Sequence, residues 1–386
     1  MAGWRGDEGS QVCLRVASHP AARDWLPARQ HRLAWCRVPC QHRRGGGCLP
    51  SCHQLAWPPP VPLFVSGNRC RMNEFDLIAR YFSRPVRTAP LGVGDDCAIL
   101  APTPGCELLV SKDLLVEHRH FFADVDPVAL GHKTLAVNLS DIAAMGGVPR
   151  WTWLGAALPQ IDPAWVAGFA EGFYALAERT GVELLGGDTT RGPLTLSVTV
   201  MGEVPAGTAI RRDGARPGDD IWVSGQLGLA AAALQARLGR LVLPADVADA
   251  CLLRLEWPEP RTGLGQALRG LASAMLDVSD GLAGDLGHIL ERSGVAAELW
   301  LAAIPTDAWL AGRRNEMRDC LLAGGDDYEL CFTAPQAVRA EVADRAAAAG
   351  VDVTRIGMIR SGYGLSVLGE NGEPVVLERN GFDHFA

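Results

Sequence analysis

The chain predicts an α+β fold in two domains. Three features lead there. Helical and strand patterns are mixed without the strict alternation of a doubly wound sheet. At 386 residues the chain exceeds one ordinary core. Finally, charge and pattern change abruptly at Met72 and a second unit begins near Arg211, giving expected domains of residues 72–208 and 209–386 behind an extension, 1–71.

The extension differs from the rest in kind. Residues 1–71 carry ten arginines against three acids, about +7; the whole-chain net of -8 then leaves about -15 for residues 72–386. Six of the eleven cysteines fall here (Cys13, Cys36, Cys40, Cys48, Cys52 and Cys70), with Gly45-Gly46-Gly47 and Pro58-Pro59-Pro60, and without sustained periodicity. The spacing of Cys36, Cys40, Cys48 and Cys52 with His42 and His53 matches no usual zinc finger. No signal-peptide layout is present. The segment is expected to lie outside the functional fold, with Met72 the native start; a genuine disordered arm is the alternative.

From Met72 the elements run in order. Glu74 to Phe82 spaces Phe75, Ile78, Ala79 and Phe82 as one apolar helix side. A glycine turn, Leu91 to Asp96, feeds a strand at Cys97 to Leu100, and Leu108 to Ser111 is a second strand ending at Asp113. Glu117 to Phe122 is a loop. Pro127 to Met145 contains the helix around which the chain is organised: Leu135, Leu139 and Ile142 form an apolar stripe, Thr134, Asn138 and Asp141 the neighbouring face. Met145-Gly146-Gly147 and then Pro149 stop it and hold Asp141 near a rigid end. A strand at Trp151 to Leu158, a helix at Pro163 to Thr180, and strands at Val182 to Leu185 and Thr195 to Glu203 complete the first unit.

In the second unit Arg216 to Asp219 is a turn, Asp220 to Ser224 a strand, and Leu227 to Leu238 and Arg261 to Leu271 are helices. Ala274 to Leu276 runs as a strand into Asp277-Val278-Ser279-Asp280-Gly281, followed by a helix from Leu282 to Ser293 and a strand from Ala297 to Leu301. The turn Ala323 to Glu329, a strand at Leu330 to Thr333, a helix at Pro335 to Ala349 and closing strands to Val376 finish the chain. Each half is expected to place acidic turns at strand ends.

Composition excludes several classes. An acidic body lacks the basic footprint of a nucleic-acid binder. No run approaches the ~18–20 apolar residues of a membrane span. Five scattered cysteines, Cys97, Cys106, Cys251, Cys320 and Cys331, fit a reduced, cytoplasmic protein, with Cys97 expected to be buried in an apolar run. The only lysines are Lys112 and Lys133, and there is no GxxxxGK[ST], HRDxxxxN or DFG, so Walker-loop and protein-kinase scaffolds are out.

What remains is a set of acidic clusters, largely in glycine-rich settings. Two carboxylates ~4–5 Å apart repel by roughly 3–4 kcal/mol at an effective dielectric of about 20. Gathering Asp95, Asp96, Asp113, Asp141, Asp188, Asp277 and Asp280 in one cleft therefore calls for divalent cations, and oxygen ligands favour magnesium. The alternative is that these are separate turn residues. Gly186-Gly187-Asp188-Thr189-Thr190-Arg191 joins backbone access, hydroxyls, a carboxylate and a guanidinium, a combination suited to phosphate, though a plain hairpin turn has the same composition.

The motifs GVGDDCAIL, SKDLLVEHRHF, LAVNLSDIAAMGG, LLGGDTTRGP, LDVSDGLAGDLGHI, AGGDDYELCFT and GFDHF resemble, in order, those of the thiamine-monophosphate kinases, from Asn73 to Phe385 and not before Met72. That resemblance implies an aminoimidazole-ribonucleotide-synthetase-like fold, its N-terminal domain forming a barrel across a homodimer and its C-terminal domain an α/β sandwich. It implies transfer of the γ-phosphoryl of ATP to thiamine monophosphate, with several magnesium ions. The metal ligands it implies are Asp96, Ser111, Lys112 (through its backbone carbonyl), Asp113, Asp141, Asp188, Asp277 and Asp280. ATP would meet Tyr174, Gly187, Asp188, Arg212 and Ser279; thiamine monophosphate would meet His120, Asp326 and Phe382. The chain departs from the family pattern at Lys112, where many relatives have Thr, at Asp326, where Glu is commoner, and at His118, often Gly. Rival readings are a synthetase of the same superfamily and a non-catalytic nucleotide- or metal-sensing dimer.

Overall fold

The computed structural model describes residues 72–369, 371–377 and 381; the expectations placed on residues 1–71 and on Phe382 lie outside the described residues. Asn73 and Asp76 form a reciprocal capping box that starts α1 (Glu74–Leu77), whose end widens into a π-helical turn, Ile78–Phe82. Burial tracks the wider turn: Leu77 and Phe82, five residues apart, are buried, whereas Phe75 is 78% exposed, against expectation. The strand expected at Cys97–Leu100 is reduced to a single bridge between Leu91 and Ile99. Ala98 and Leu100 pack on Trp151 and Leu185, so the alternation turns Cys97 outward, exposed rather than buried.

The N-terminal half is a four-stranded sheet backed by two helices. In chain order it comprises β1 (Cys106–Val116), α2 (Pro127–Ala144), β2 (Val148–Leu158), α3 (Pro163–Thr180), β3 (Glu183–Arg191) and β4 (Thr195–Pro205), with spatial order β1-β4-β2-β3 and only the β2/β3 pair parallel. Asp126 and Asp162 cap α2 and α3 just before a proline, and Gly181, at φ 73°, closes α3. An added Cβ at Gly172 would lie 1.8 Å from Val128 O, so this glycine lets the two helix backbones touch.

Strand lengths correct the expectation about acidic turns. β1 runs past Ser111 to Val116, so Asp113 lies inside the strand. β3 continues through Gly186–Arg191, pairing with β2 across a register shift at Thr152/Trp153, so Asp188 is also a strand residue. Only Asp277 of the three ends a strand. Along β1, Leu109 and Leu115 are buried under the helices, and the alternation puts Ser111 and Asp113 on that same side. Leu108, Val110, Lys112 and Leu114 occupy the opposite, exposed face.

The C-terminal half contains β5 (Asp220–Ser224), α4 (Leu229–Arg237), α5 (Ala245–Glu256), α6 (Thr262–Ala267), β6 (Ala274–Asp277), α7 (Leu282–Ser293), β7 (Ala296–Trp300), α8 (Ala308–Ala311), α9 (Arg318–Ala323), β8 (Leu330–Ala334), α10 (Arg339–Ala348), β9 (Val353–Arg360) and β10 (Gly364–Leu368). Its six strands are ordered β10-β7-β9-β5-β8-β6, antiparallel except for β10/β7. Helices α5, α8 and α9 were not expected from the sequence. α5 nonetheless carries buried Val247, Cys251 and Leu255 at four-residue spacing.

α2 belongs to both halves. Its middle packs among Leu154, Leu196 and Val198, while its last turn, Ala143 and Ala144, enters a core with Ile210, Leu264, Met275 and Phe332. A Cβ on Gly265 would come within 2.1 Å of Ala143 O, so α6 approaches α2 backbone to backbone. The last turn of α2, and Asp141 with it, is fixed between the two halves.

Candidate active site

Where α2 passes β1, side chains lock the strand to the helix. Asn138 donates from Nδ2 to Thr134 O at 3.0 Å and accepts Asp113 N–H on Oδ1 at 3.0 Å. One turn later Asp141 Oδ2 accepts the Ser111 hydroxyl at 2.5 Å. From the other half, β6 delivers Asp277, and the loop after it is shaped by a buried carboxylate, Asp285. Its Oδ2 accepts three successive backbone N–H groups, from Ser279, Asp280 and Gly281, at 3.0, 3.0 and 3.1 Å. Sequence reasoning passed over Asp285, although its place in the first turn of α7, just after the Asp280-Gly281 pair, is a recognisable signal.

These acids perturb one another. Burial, then the charges of Asp141 and Asp280, push Asp113 up to about 7. Asp277 also rises to about 7, through burial and then Asp141. Asp141 is raised by burial, opposed by the Ser111 hydrogen bond and the Arg212 guanidinium. The four carboxylates thus share one electrostatic neighbourhood built from both halves.

Most of the residues singled out from sequence fall into three cavities. Asp113, Asp141, Asp277, Ser279, Asp280, His120 and Asp326 line a cleft of about 630 Å³. Ser111 and Arg212 border an adjoining one of about 480 Å³, with Asp141 common to both. Asp96, Gly187 and Asp188 line a separate cavity of about 620 Å³ with Trp153 and Thr189, so the seven acids expected in one cleft are divided between two places. Lys112 is exposed on the sheet's other face. Tyr174 is buried, and the Arg84 guanidinium lies 3.5 Å from its ring centroid, so stacking on adenine requires Arg84 to withdraw. Among the described residues no three His, Cys, Asp or Glu side chains converge to hold a metal ion unaided.

The wall opposite α2 is the turn Gly324–Glu329, where Asp326 (φ 67°) and Tyr328 (φ 49°) both adopt left-handed backbone. Backbone bonds from Asp326 N to Ser279 O and from Tyr328 N to Val278 O, each 2.8 Å, register it against the Asp277–Gly281 loop. Beneath it Glu329 is bound by Arg261 (Nε 2.7 Å, Nη2 2.5 Å) and by the Ser224 hydroxyl at 2.5 Å. Lys133 enters from α2, its Nζ 3.2 Å from Asp326 Oδ2.

The chain is similar to known proteins over most of its length. Residues 94–204 match the family model for the N-terminal domain of AIR synthase related proteins, and 216–369 the model for the C-terminal domain. The chain is 45% identical over 322 residues to thiamine-monophosphate kinase of Escherichia coli K12, covering 81% of this chain and 98% of that protein. It is 34% identical over 325 residues to the Bacillus subtilis protein of the same name, covering 81% and 100%. The crystal structure of thiamine-monophosphate kinase from Stenotrophomonas maltophilia K279a is 46% identical, with a TM-score of 0.70 over 78% of this chain and 95% of that one. AaThiL complexed with AMPPCP and TMP is 31% identical, with a TM-score of 0.64 over 74% and 89%. The E. coli hydrogenase maturation protein HypE, 21% identical with a TM-score of 0.66 over 79% and 95%, shares the fold.

Proposed function

The chain belongs to the thiamine-monophosphate kinase family, and on that premise we propose that its inter-domain cleft transfers the γ-phosphoryl group of ATP to thiamine monophosphate, giving thiamine diphosphate. The observation that carries this assignment is the meeting of Asp113 and Asp141 from one half with Asp277 and Asp280 from the other around a single cleft. A neutral ligand would not call for so many mutually repelling acids, and a bare polyphosphate would be repelled by them. A metal-bound polyphosphate calls for them.

Magnesium fits the donor set, which is all oxygen. Because three carboxylates do not converge on one point, the fit is to ions held by one or two carboxylates each and completed by phosphate oxygens and water. Asp113, Asp141, Asp277 and Asp280 are the proposed ligands in the cleft, with Ser111 and the Lys112 carbonyl beside them; Asp96 and Asp188 would serve the neighbouring cavity. Bound magnesium supplies charge neutralisation for the β- and γ-phosphates. The protein's own part is positioning. Arg212 and Ser279 contact the nucleotide. Gly187 lets backbone approach it, and Tyr174 contributes once Arg84 moves aside. His120, Asp326 and Phe382 receive the acceptor. An acceptor phosphate oxygen is already deprotonated at neutral pH, so no general base is required and transfer is direct and in line.

Further features complete the proposal. Leu108, Val110 and Leu114 are exposed together on the open face of β1, an edge strand, which suits closure of the sheet by a second copy into the homodimer barrel. The described cysteines are all free thiols, consistent with a reducing, cytoplasmic setting, and no helix among the described residues is long and apolar enough to cross a membrane. The domain limits 72–208 and 209–386 enclose the two family matches. The test is ADP release by the purified chain with ATP and magnesium. Release that depends on thiamine monophosphate supports the function, and release indifferent to it refutes the function.

A further inference from the structure

We propose that Lys133 is a positioning residue of the acceptor site, acting through Asp326; this rests on the kinase assignment above and names a residue that assignment does not use. Lys133 is only 5% exposed at its side chain, yet it lines the cleft. Its ammonium lies 3.2 Å from Asp326 Oδ2 and 3.5 Å from His120 O, so one side chain of α2 touches both elements expected to receive the acceptor. Glu256 also feels its charge.

Asp326 needs such a hold. Its backbone is left-handed, uncommon for a residue with a Cβ although Asp adopts it more readily than most. Its two oxygens have different partners: Oδ1 accepts the Tyr328 hydroxyl at 3.2 Å and Oδ2 faces Lys133. The carboxylate is thereby fixed in rotation as well as in place. Tyr328 belongs to the same turn, whereas Lys133 belongs to the other half of the molecule, so the Lys133 contact sets where Asp326 stands relative to Asp113 and Asp141 on the α2 side. Exposure makes the pair asymmetric. Asp326 is 28% exposed and water can solvate it alone; Lys133 is not so placed, and losing its counter-charge is the costlier change.

The experiment is a double-mutant cycle of wild type, Lys133→Met, Asp326→Asn and the double variant, read by substrate kinetics and by melting temperature. Lys133→Met is expected to raise KM for thiamine monophosphate about tenfold and leave KM for ATP within about twofold. In the Asp326→Asn background the same substitution should add nothing. Melting should show the matching pattern, with Asp326→Asn destabilising in the presence of Lys133 and neutral in the Lys133→Met background. Additive effects on KM or on melting, or equal rises in both KM values, would overturn the proposal. Absence of turnover by wild type would defeat the kinase assignment instead, and the melting cycle would still decide the pair.

Discussion

Replacing Asp141 by Asn separates the two things its charge does. Asp141 helps hold Asp113 and Asp277 at about 7, so in magnesium-free protein it is a source of repulsion. Two unit charges about 6 Å apart at an effective dielectric of about 20 repel by about 3 kcal/mol, and water at half-buried Asp141 reduces this to the order of 1 kcal/mol. Asn keeps an oxygen for the Ser111 hydroxyl, so the fold retains that bond. Carboxyls raised from an unfolded value near 4 to about 7 in the folded state favour folding when protonated, and that contribution is lost as pH rises from about 4 through about 7. Metal-free wild type should therefore melt lower at pH 8 than at pH 6. Asp141→Asn should flatten the difference, melting about 2 °C above wild type at pH 8. With magnesium and both substrates present the sign reverses: loss of a metal-ligand charge should cut turnover by about 10²-fold or more, at least ~2.7 kcal/mol of transition-state stabilisation. Differential scanning fluorimetry across pH and ADP release at saturating magnesium measure the two arms. Wild-type turnover in the variant, or a lower melting temperature at pH 8, would refute the reasoning.

Three other outcomes are expected from the same structure. A chain beginning at Met72 should dimerise, melt and turn over like the full chain, as comparison of the two by light scattering, fluorimetry and steady-state kinetics will test. Phe382→Ala should weaken thiamine monophosphate about tenfold and leave ATP affinity nearly unchanged by calorimetry, because a thiazolium over an aromatic face gains roughly 0.5–2 kcal/mol. Gly187→Ala should destabilise the N-terminal half by several degrees and abolish turnover, since Gly187 has φ 150° and its Cβ would sit 1.8 Å from Leu154 O; a normal melting curve would count against that.

Local patterns that act locally were legible. The limits of α3, α7 and β5 match expectation, because the signals lie next to the elements: Asp162 and Gly181 flank α3, Gly281 and Gly294 flank α7, and β5 is a short, wholly buried run. Misreadings came where distant pairing decided. The Gly186–Arg191 run has turn composition, yet β2 draws it into a parallel ladder, with Gly187 accepting backbone that other residues avoid. Leu77 and Phe82 are buried at five-residue spacing that an α-helical template cannot find. α5 was readable from Val247, Cys251 and Leu255. In the site, helix phase singled out Asp141, and the acidic clusters Asp113, Asp277 and Asp280, but a count of carboxylates does not say which cavity each faces, so Asp95, Asp96 and Asp188 were grouped with them. Lys133 was hidden for a similar reason. Lysine on a helix reads as solvent-facing, and its burial beside Asp326 depends on the docking of the other half.

The central claim is tested most directly by tracing the γ-phosphoryl group itself. Incubation of the protein with γ-labelled ATP, magnesium and thiamine monophosphate should place the label in thiamine diphosphate, one equivalent for each ADP formed, with inversion at phosphorus. Label recovered as inorganic phosphate, label left on the protein as a phosphoenzyme, or ADP formed without thiamine diphosphate would contradict it.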